Sequence, residues 1–404
     1  MARPYVATKS ESSTRWLINP FAAYAAGFFL ALGVYSLGYS DLYPPLQTPL
    51  KWFLLATCAV CCVLAIRLRG KRLALEFEPE RLGTQTFVFL AIVAVFIAEV
   101  AWNRGVPLLV IAAGGDTSAR DYGIPVLHVA FAGFCYFYAV YWFDLFLIGQ
   151  GRIFLVFSLS AVSTSLLTFS RGAFIVTLIA IAGVYLQRRG FSRKLLFILV
   201  ALFGAVLWGF GLLGDIRTHG ASGESIILTV GDASDKFLHS NIPTEFFWPY
   251  LYTSSPLANL QLNVTDRVAP DSPELYVLLE LLPDFISKRL VSEETTAAFS
   301  PLLITEQLTV CTMYGRSFVL LGWIGVCITF LYFLAVCSAC LRVIKNSKYF
   351  VATTGILCSL AFLGIFDNML IVSGGILPVI VALALKFFER GPNLGRPLQL
   401  STAK

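Results

Sequence analysis

The sequence predicts an all-α polytopic membrane protein with about ten transmembrane helices, and with one large, mostly helical extracytoplasmic cap between spans seven and eight. Hydrophobic residues make up 57% of the 404 residues, charged residues only 13%, and the mean hydropathy is +0.76. A soluble domain carries about 25% charged residues. The apolar residues form runs of bilayer length, and the polar residues collect in one long interval. Together these observations predict a chain that crosses a membrane repeatedly.

The lengths of the apolar runs predict where the chain crosses, because a spanning helix needs about 20 apolar residues, with a range of roughly 17 to 25. The predicted spans are 20–39, 50–66, 86–103, 124–148, 153–169, 172–187, 194–214, 313–341, 350–366 and 368–388. The run from 153 to 187 is too long for one helix and is divided at Ser170-Arg171-Gly172. No small-x-small cleavage site follows the first run, so a membrane helix is predicted there and not a cleaved signal peptide.

The distribution of Lys and Arg predicts the orientation, because cytoplasmic loops are enriched in both. With the N-terminus inside, the inner segments contain most of the Lys and Arg, and the outer segments contain most of the Asp and Glu. The predicted inner segments are 1–19, 67–85, 149–152, 188–194, 342–349 and the tail 389–404. The interval 215–312 then lies outside the cytoplasm, between the membrane regions 20–214 and 313–388.

The interval 215–312 is predicted to fold as a cap, since a domain of roughly 100 residues carries a small core of its own. Short helices joined by turns are expected within it. Ser272 as N-cap and Pro273 at the first position predict a helix from Glu274 to Leu282. A second helix is predicted from Pro301 to Val310. The segment WPYLYTSSPLANL mixes aromatic and turn residues, as segments on a membrane surface or along a carbohydrate cleft do.

Three arginines, Arg120, Arg171 and Arg217, are predicted at the outer membrane face. An arginine near the centre of a span costs about 2.5–3.5 kcal/mol on insertion scales, and so usually serves a purpose. Arg171 interrupts an apolar run, Arg217 opens the cap, and Arg120 follows Gly-Gly-Asp. Guanidinium groups bind phosphates through paired hydrogen bonds, so the three arginines predict a pyrophosphate site. The alternative for Arg171 is snorkelling or anchoring at the interface, and the alternative for Arg217 is a simple juxtamembrane charge. Arg120 could instead pair with Asp121 or Asp116.

Two histidines of the cap are candidate general bases, because a neutral imidazole accepts a proton near pH 7. His219 lies two residues after Arg217 and is the first candidate, and His239 lies further into the cap. An inert surface histidine is the alternative for both. Several cap carboxylates are further candidates, although a solvated acidic face is the simpler interpretation: Asp215, Asp232, Asp235, Glu245 and Glu306.

Candidate sugar contacts are Trp248, Tyr250, Tyr252, Asn259 and Tyr314. Sugar rings present C–H faces that stack on aromatic rings, and hydroxyls that tyrosine and asparagine bind. The alternative for the aromatic residues is a membrane-interface belt, in which amphipathic rings lie at the level of the headgroups.

No metal, cofactor or nucleic acid is predicted. The chain has no HExxH, Walker or GxSxG motif and no cysteine pairs at zinc spacing. Cys58, Cys61 and Cys62 are interpreted as small apolar residues of a membrane helix. The net charge of +6 does not indicate nucleic acid, because the basic residues gather at membrane ends.

Four features together resemble one family. They are the many spans, the late outer loop, the SRG at 170–172, and the sequence TMYGRSFVLLGWIG from Thr312 to Gly325. This layout resembles the O-antigen polymerases of the Wzy type, which are also called oligosaccharide repeat unit polymerases. The segment WPYLYTSSPLANL resembles the cap motif of the same family. The related O-antigen ligases share the SRG and the loop, but typically place a histidine late in the loop. Both cap histidines are early here, which favours a polymerase.

The resemblance implies a glycosyltransferase of the bacterial inner membrane, with its active site facing the periplasm. It would move a glycan from undecaprenyl pyrophosphate to the non-reducing end of another lipid-linked repeat unit in lipopolysaccharide biosynthesis. The arginines would stabilise the departing pyrophosphate, His219 would take the acceptor proton, and no cofactor is required. The implied partners are lipid-linked oligosaccharides, membrane lipids and a co-polymerase that regulates chain length. An O-antigen ligase, a polysaccharide flippase or transporter, and a non-catalytic scaffold are the alternatives.

Overall fold

The computed structural model describes residues 18–68, 79–113, 122–124, 126–190, 204, 226–267 and 271–389. Within these ranges the regular structure is helical, and β pairing is limited to one bridge between Ser40 and Ala233. In chain order the α-helices are α1 (Pro20–Tyr35), α2 (Thr48–Arg67), α3 (Leu82–Asn103), α4 (Pro107–Ala112), α5 (Leu127–Leu147), α6 (Ile153–Leu167), α7 (Arg171–Arg189), α8 (Ile226–Val230), α9 (Asp235–Leu238), α10 (Phe247–Asp266), α11 (Pro273–Tyr276), α12 (Asp284–Leu290), α13 (Glu293–Ala298), α14 (Gly315–Ile344), α15 (Phe350–Phe362) and α16 (Ser373–Phe388).

Apolar helices occupy nine of the ten predicted spans. Five of them, α2, α3, α5, α7 and α14, are long and apolar enough to cross a membrane. Four shorter apolar helices, α1, α6, α15 and α16, occupy the remaining predicted spans that the structure describes. The predicted span 194–214 lies outside the described residues except for Gly204. The described chain is therefore all-α with several helices able to span a membrane, and the count of ten stays a prediction.

One end of the helix bundle gathers the connections that the sequence predicts to lie outside. The Tyr39 N–H donates to the hydroxyl of Tyr250 at 3.0 Å, and the Ser234 hydroxyl donates to the Gly38 carbonyl at 2.9 Å. These bonds join the α1–α2 connection to the polar interval. The segment 363–372 lies at the same end, because the Ile371 carbonyl accepts from the N–H of Asp284, the first residue of α12, at 2.8 Å.

The opposite end gathers the connections that the sequence predicts to lie inside. Arg188 donates two hydrogen bonds to the buried carboxylate of Asp144, at 2.6 and 2.8 Å, and thereby joins α7 to α5. Glu80 accepts from the Tyr141 hydroxyl at 3.0 Å and pairs with Lys348. The described helix connections therefore gather at two ends of the bundle, and which end faces the cytoplasm stays a prediction.

The segment WPYLYTSSPLANL, which mixes aromatic and turn residues, is part of one continuous helix, α10, with Pro256 inside it. Apolar residues recur at helical spacing along it, and Phe247, Leu251 and Ala258 are fully buried. Packing of this face decides the local structure, because tertiary burial overrides the weak helix propensity of Tyr, Thr, Ser and Pro.

The predicted helix 301–310 is wrong, and the segment is irregular. Two asparagines of α10 take over its backbone hydrogen bonds. The Asn259 amide donates to two carbonyls of the segment at 2.7 Å each, and its oxygen accepts from the Ile304 N–H at 2.8 Å. Asn263 bonds both the N–H and the carbonyl of Leu302 at 2.9 Å. Because these side chains satisfy backbone N–H and C=O groups of the segment, it does not need a helix to satisfy them.

The predicted helix from Glu274 to Leu282 is confirmed in place, but it is a short α-helix, α11, followed by a π-helical turn, Val277–Leu281. Pro273 begins it as expected, whereas the Ser272 side chain makes no capping bond. Single π-helical turns are rare and occur frequently at functional sites, because they redirect side chains relative to an α-helix.

Helix α14 is broken at Gly322, whose φ of 57° and ψ of −141° are accessible almost only to glycine. In a straight helix Ser317 and Thr329 would lie about 18 Å apart along the axis. Their hydroxyls are 2.7 Å apart, and a Cβ on Gly325 would lie 2.3 Å from the Ser317 carbonyl. The chain therefore folds back at Gly322, and the predicted span 313–341 is not one straight helix.

Replacing Gly322 by alanine is expected to destabilise the protein by about 1–3 kcal/mol, because a side chain is strained in this conformation. Gly33→Ala in α1 is the matched control, since no atom lies within 4 Å of an added Cβ there. The measurement is the thermal unfolding midpoint of each purified protein in detergent. Equal midpoints for Gly322→Ala and wild type would show that the reversal is not glycine-dependent.

Candidate functional site

The reversal of α14 brings together polar side chains from three distant segments, which form the Glu280 cluster. They come from α11 and its π-helical turn, from α14, and from the connection between α15 and α16. The members are Tyr276, Glu280, Arg316, Ser317, Thr329, Asp367 and Asn368.

Glu280 is the centre of this cluster and is only 3% exposed. The Ser317 hydroxyl donates to its Oε2 at 2.7 Å. The Ser317 and Thr329 hydroxyls are 2.7 Å apart, and Thr329 lies 2.7 Å from the Tyr276 hydroxyl, which also donates to the Gly325 carbonyl at 2.9 Å. A chain of buried hydroxyls therefore ends on one carboxyl oxygen of Glu280.

The environment of Glu280 favours its protonated form. Desolvation by burial raises the pKa of Glu280 to about 7, against the opposing charge of Arg316 and the hydrogen bond from Ser317. The negative charge of Asp367 raises the pKa further, and a hydrogen bond from Asn368 lowers it. A carboxyl with a pKa near 7 exists in both forms at neutral pH, as a general acid or base requires.

Arg316 supplies the positive charge of the cluster. It lies in the first turn of α14 and is half-buried, and its Nε is buried with no hydrogen-bond partner. In the described part of the chain, its charge acts on both Glu280 and Asp367 without a direct ion pair to either. The charge of one guanidinium therefore acts on two carboxyls, and the guanidinium forms a described ion pair with neither.

Asp367 forms the side of the cluster that is open to solvent. Its carboxyl is nevertheless closely surrounded by protein, and desolvation raises its pKa. The Asn368 N–H, which donates to it at 2.7 Å, and the charge of Arg316 lower the pKa, and Asp284 raises it. A carboxyl that is enclosed and yet accessible is typical of the wall of a cleft.

Two anchors fix the connection that carries Asp367. The Asn368 amide donates to the Glu280 carbonyl at 3.3 Å, and the Asn368 Oδ1 is buried with no partner. Asp284 of α12 accepts from the Ser373 N–H at 2.8 Å and from Lys288 at 3.1 Å. The cluster is thus held between the polar interval and the start of α16.

The predicted pyrophosphate ligands and the first candidate base lie where the structure gives no side-chain description. Arg120, Arg217 and His219 are outside the described residues. Arg171 is the first residue of α7, and its side chain is outside the described part. Their assigned roles stay predictions.

The second candidate base, His239, is exposed at the end of α9, and its Nδ1 lies 2.9 Å from the Asp235 carbonyl. The structure brings His239 into contact with none of the Glu280 cluster residues through a hydrogen bond that it describes. Its assigned role as a general base therefore stays a prediction.

The five predicted sugar contacts divide into two groups. Tyr250, Asn259 and Tyr314 are buried, and their polar atoms bind protein partners. Trp248 stacks on Tyr252 with ring centroids 6.0 Å apart, and Tyr252 is 38% exposed. Only this stacked pair offers ring surface at the exterior of α10.

Sequence reasoning missed Glu280, Arg316, Asp367 and Asn368, although a signal was present. Each of the three charged residues borders or interrupts an apolar run, which is the argument applied to Arg171. Glu280 stands alone in LYVLLELL, and Arg316 follows the start of a predicted span. Among the described residues no group of three His, Cys, Asp or Glu side chains is arranged to hold a metal.

No protein-family model and no curated protein matches the chain. The fold and the cluster define an all-α protein with several helices able to span a membrane, and with a buried titratable carboxyl beside an arginine at one end of the bundle. Its function is inferred from that site.

Glu280 is expected to make stability depend on pH. The folded state binds a proton more tightly than the unfolded state, whose pKa is near 4.5, so the free energy of unfolding falls as pH rises from 4.5 to about 7. Above pH 7 the free energy of unfolding is lower than at pH 4.5 by about 3 kcal/mol. Glu280→Gln should therefore be more stable than wild type at pH 8 and nearly equal at pH 4.5, measured by unfolding in detergent.

Glu274→Gln is the matched control for this comparison, because Glu274 is exposed on the same segment. Its stability should follow that of wild type at both pH values. A Glu280→Gln variant that is less stable than wild type at pH 8 would contradict the raised pKa of Glu280.

Proposed function

We propose that the protein is an O-antigen polymerase, a membrane glycosyltransferase that moves a glycan from undecaprenyl pyrophosphate to the non-reducing end of another lipid-linked repeat unit. The observation that carries this proposal is Glu280, a buried carboxyl that exchanges its proton near pH 7 beside the guanidinium of Arg316. The resemblance of layout and motifs supplies the substrate and the location, with the active site at the periplasmic face of the bacterial inner membrane.

The proposed reaction is a single displacement. Ionised Glu280 removes the proton of the acceptor hydroxyl while the hydroxyl oxygen attacks the anomeric carbon of the donor. The bond from that carbon to the pyrophosphate oxygen breaks, and its electron pair leaves with undecaprenyl pyrophosphate. Arg316 is a fixed cation in a partly desolvated site and stabilises the charge that develops. Arg120, Arg171 and Arg217 remain the proposed ligands of the pyrophosphate itself.

The position of the cluster supports this assignment. It lies at the end of the bundle where the connections predicted to be extracytoplasmic gather, because Asp367 and Asn368 belong to the connection between α15 and α16. The stacked Trp248 and Tyr252 on α10 offer a surface for sugar rings on the same polar interval. Length control by a separate co-polymerase follows from the resemblance alone.

A flippase or transporter is the second candidate, and two observations favour it. Broken helices and ionisable side chains within membrane segments mark transport pathways. Helix α14 is broken at Gly322, and Glu99 of α3 is fully buried, with His128 Nδ1 3.0 and 3.1 Å from its two carboxylate oxygens. A deletion strain separates the classes. Loss of a polymerase leaves core with single repeat units, loss of a ligase leaves free lipid-linked polymer, and loss of a flippase leaves no surface glycan.

Glu280→Gln is expected to slow elongation by 10²- to 10⁴-fold, the usual contribution of a general base. The assay uses the purified protein and lipid-linked repeat units extracted from the deletion strain. The wild-type rate should fall as pH decreases below about 7, because Glu280 must be ionised. Glu274→Gln should elongate at the wild-type rate, and full activity of Glu280→Gln would transfer the role of base to another group.

Alanine at Arg171 or at Arg217 is expected to abolish long chains in the complemented deletion strain, because the pyrophosphate loses a cationic ligand. Arg289→Ala, on the exposed side of α12, is the control and should restore the full ladder of chain lengths. The readout is the ladder on a gel together with the amount of protein in the membrane. A complete ladder from either variant would remove that arginine from the site.

A further inference from the structure

The Glu280 cluster contains two buried polar atoms that lack a hydrogen-bond partner within the described residues. They are the Nε of Arg316, which donates, and the Oδ1 of Asn368, which accepts. Three further atoms of this kind are scattered elsewhere, on Tyr122, Gln187 and Ser255. Buried polar atoms are normally paired, so two complementary ones in a single cluster call for an explanation.

Both atoms belong to groups that flank the same two carboxyls. The charge of Arg316 acts on Glu280 and on Asp367. Asn368 donates through its side chain to the Glu280 carbonyl at 3.3 Å and through its backbone to Asp367 at 2.7 Å. The bond to a carbonyl requires the Asn368 nitrogen on that side, so the oxygen is the atom left without a partner.

The chemistry of the two atoms suits a ligand that both accepts and donates a hydrogen bond, such as water or a hydroxyl group. A hydroxyl accepts one hydrogen bond and donates another, whereas a phosphate oxygen only accepts and an ammonium only donates. The pair therefore suits the hydroxyl of a neutral sugar and not the pyrophosphate.

We propose that Arg316 Nε and Asn368 Oδ1 together bind one non-reacting hydroxyl of the acceptor sugar and thereby place its neighbouring hydroxyl against Glu280. This inference rests on the proposed function, because it names the part of the substrate that the same site holds. The bound hydroxyl keeps its proton, which Asn368 accepts as a hydrogen bond. The reacting hydroxyl gives its proton to Glu280 as its oxygen forms the new bond to the anomeric carbon.

Loss of this anchor has a specific chemical consequence. The donor is still activated, but the acceptor hydroxyl is no longer held at the anomeric carbon. Water then takes the same role: its oxygen bonds to the anomeric carbon, its proton goes to Glu280, and undecaprenyl pyrophosphate leaves with the electron pair. Asn368 therefore sets the ratio of transfer to hydrolysis, whereas a purely structural residue changes both in proportion.

The test measures both products of the purified full-length protein acting on lipid-linked repeat units from the deletion strain. Asn368→Leu removes both polar atoms of the amide and keeps the branched shape of the side chain. It should lower the ratio of elongated glycan to hydrolysed free repeat unit about tenfold, the effect of one hydrogen bond. Asn368→Asp keeps an acceptor oxygen, so its ratio should stay within about twofold of wild type even at a lower total rate.

Arg316→Lys removes the other proposed hydrogen bond to the same hydroxyl. It provides the test if Asn368→Leu does not fold. It keeps the positive charge but lacks Nε, and it should shift the ratio in the same direction. Glu274→Gln should leave both products unchanged. If the wild type yields no elongated glycan, the proposed function itself fails. If the wild type elongates and the Leu and Lys variants keep its ratio, the hydroxyl site is overturned while the proposed function stands.

Discussion

The reversal of α14 at Gly322 is the constraint on which the site depends. Without it, Ser317 and Thr329 would lie on separate turns of a straight helix and could not share a hydrogen bond at 2.7 Å. Ser317 reaches Glu280 only because the first turns of α14 lie against the rest of the helix. The burial that raises the pKa of Glu280 therefore follows from one backbone conformation that glycine alone adopts readily.

Charge is used differently at the two ends of the bundle. At the end predicted to be cytoplasmic, carboxylates have direct partners: the buried Asp144 receives two bonds from Arg188, and the half-buried Glu80 pairs with Lys348. Removing one partner of such a pair leaves a buried charge uncompensated, so these pairs hold helices together. In the Glu280 cluster two carboxyls share one guanidinium that bonds neither within the described residues. Desolvation raises the pKa of both carboxyls, and the charge of Arg316 only partly offsets it.

The all-α fold and the positions of the apolar helices could be predicted, because the length of an apolar run is a property of a short stretch. The polar interval was harder. The mixture of aromatic and turn residues in WPYLYTSSPLANL did not indicate one continuous helix, which forms because one face of α10 is buried. The helix predicted at 301–310 is absent, and the side chains of Asn259 and Asn263 bond the backbone of that segment. The site itself needed contacts between residues as distant as Glu280 and Asn368. No local pattern reports that Gly322 folds the chain back and brings them together.

The hydroxyl chain links the protonation state of Glu280 to the orientation of three buried hydroxyls. Four contacts run from its carboxyl through Ser317, Thr329 and Tyr276 to the Gly325 carbonyl, but the three hydroxyls supply only three protons. With Glu280 ionised and accepting from Ser317, the Ser317–Thr329 contact has no proton if the other bonds are kept. A protonated Glu280 donates to Ser317, and every contact then has one. Residues inside α14 thus help to set when Glu280 binds a proton, through contacts within the helix bundle.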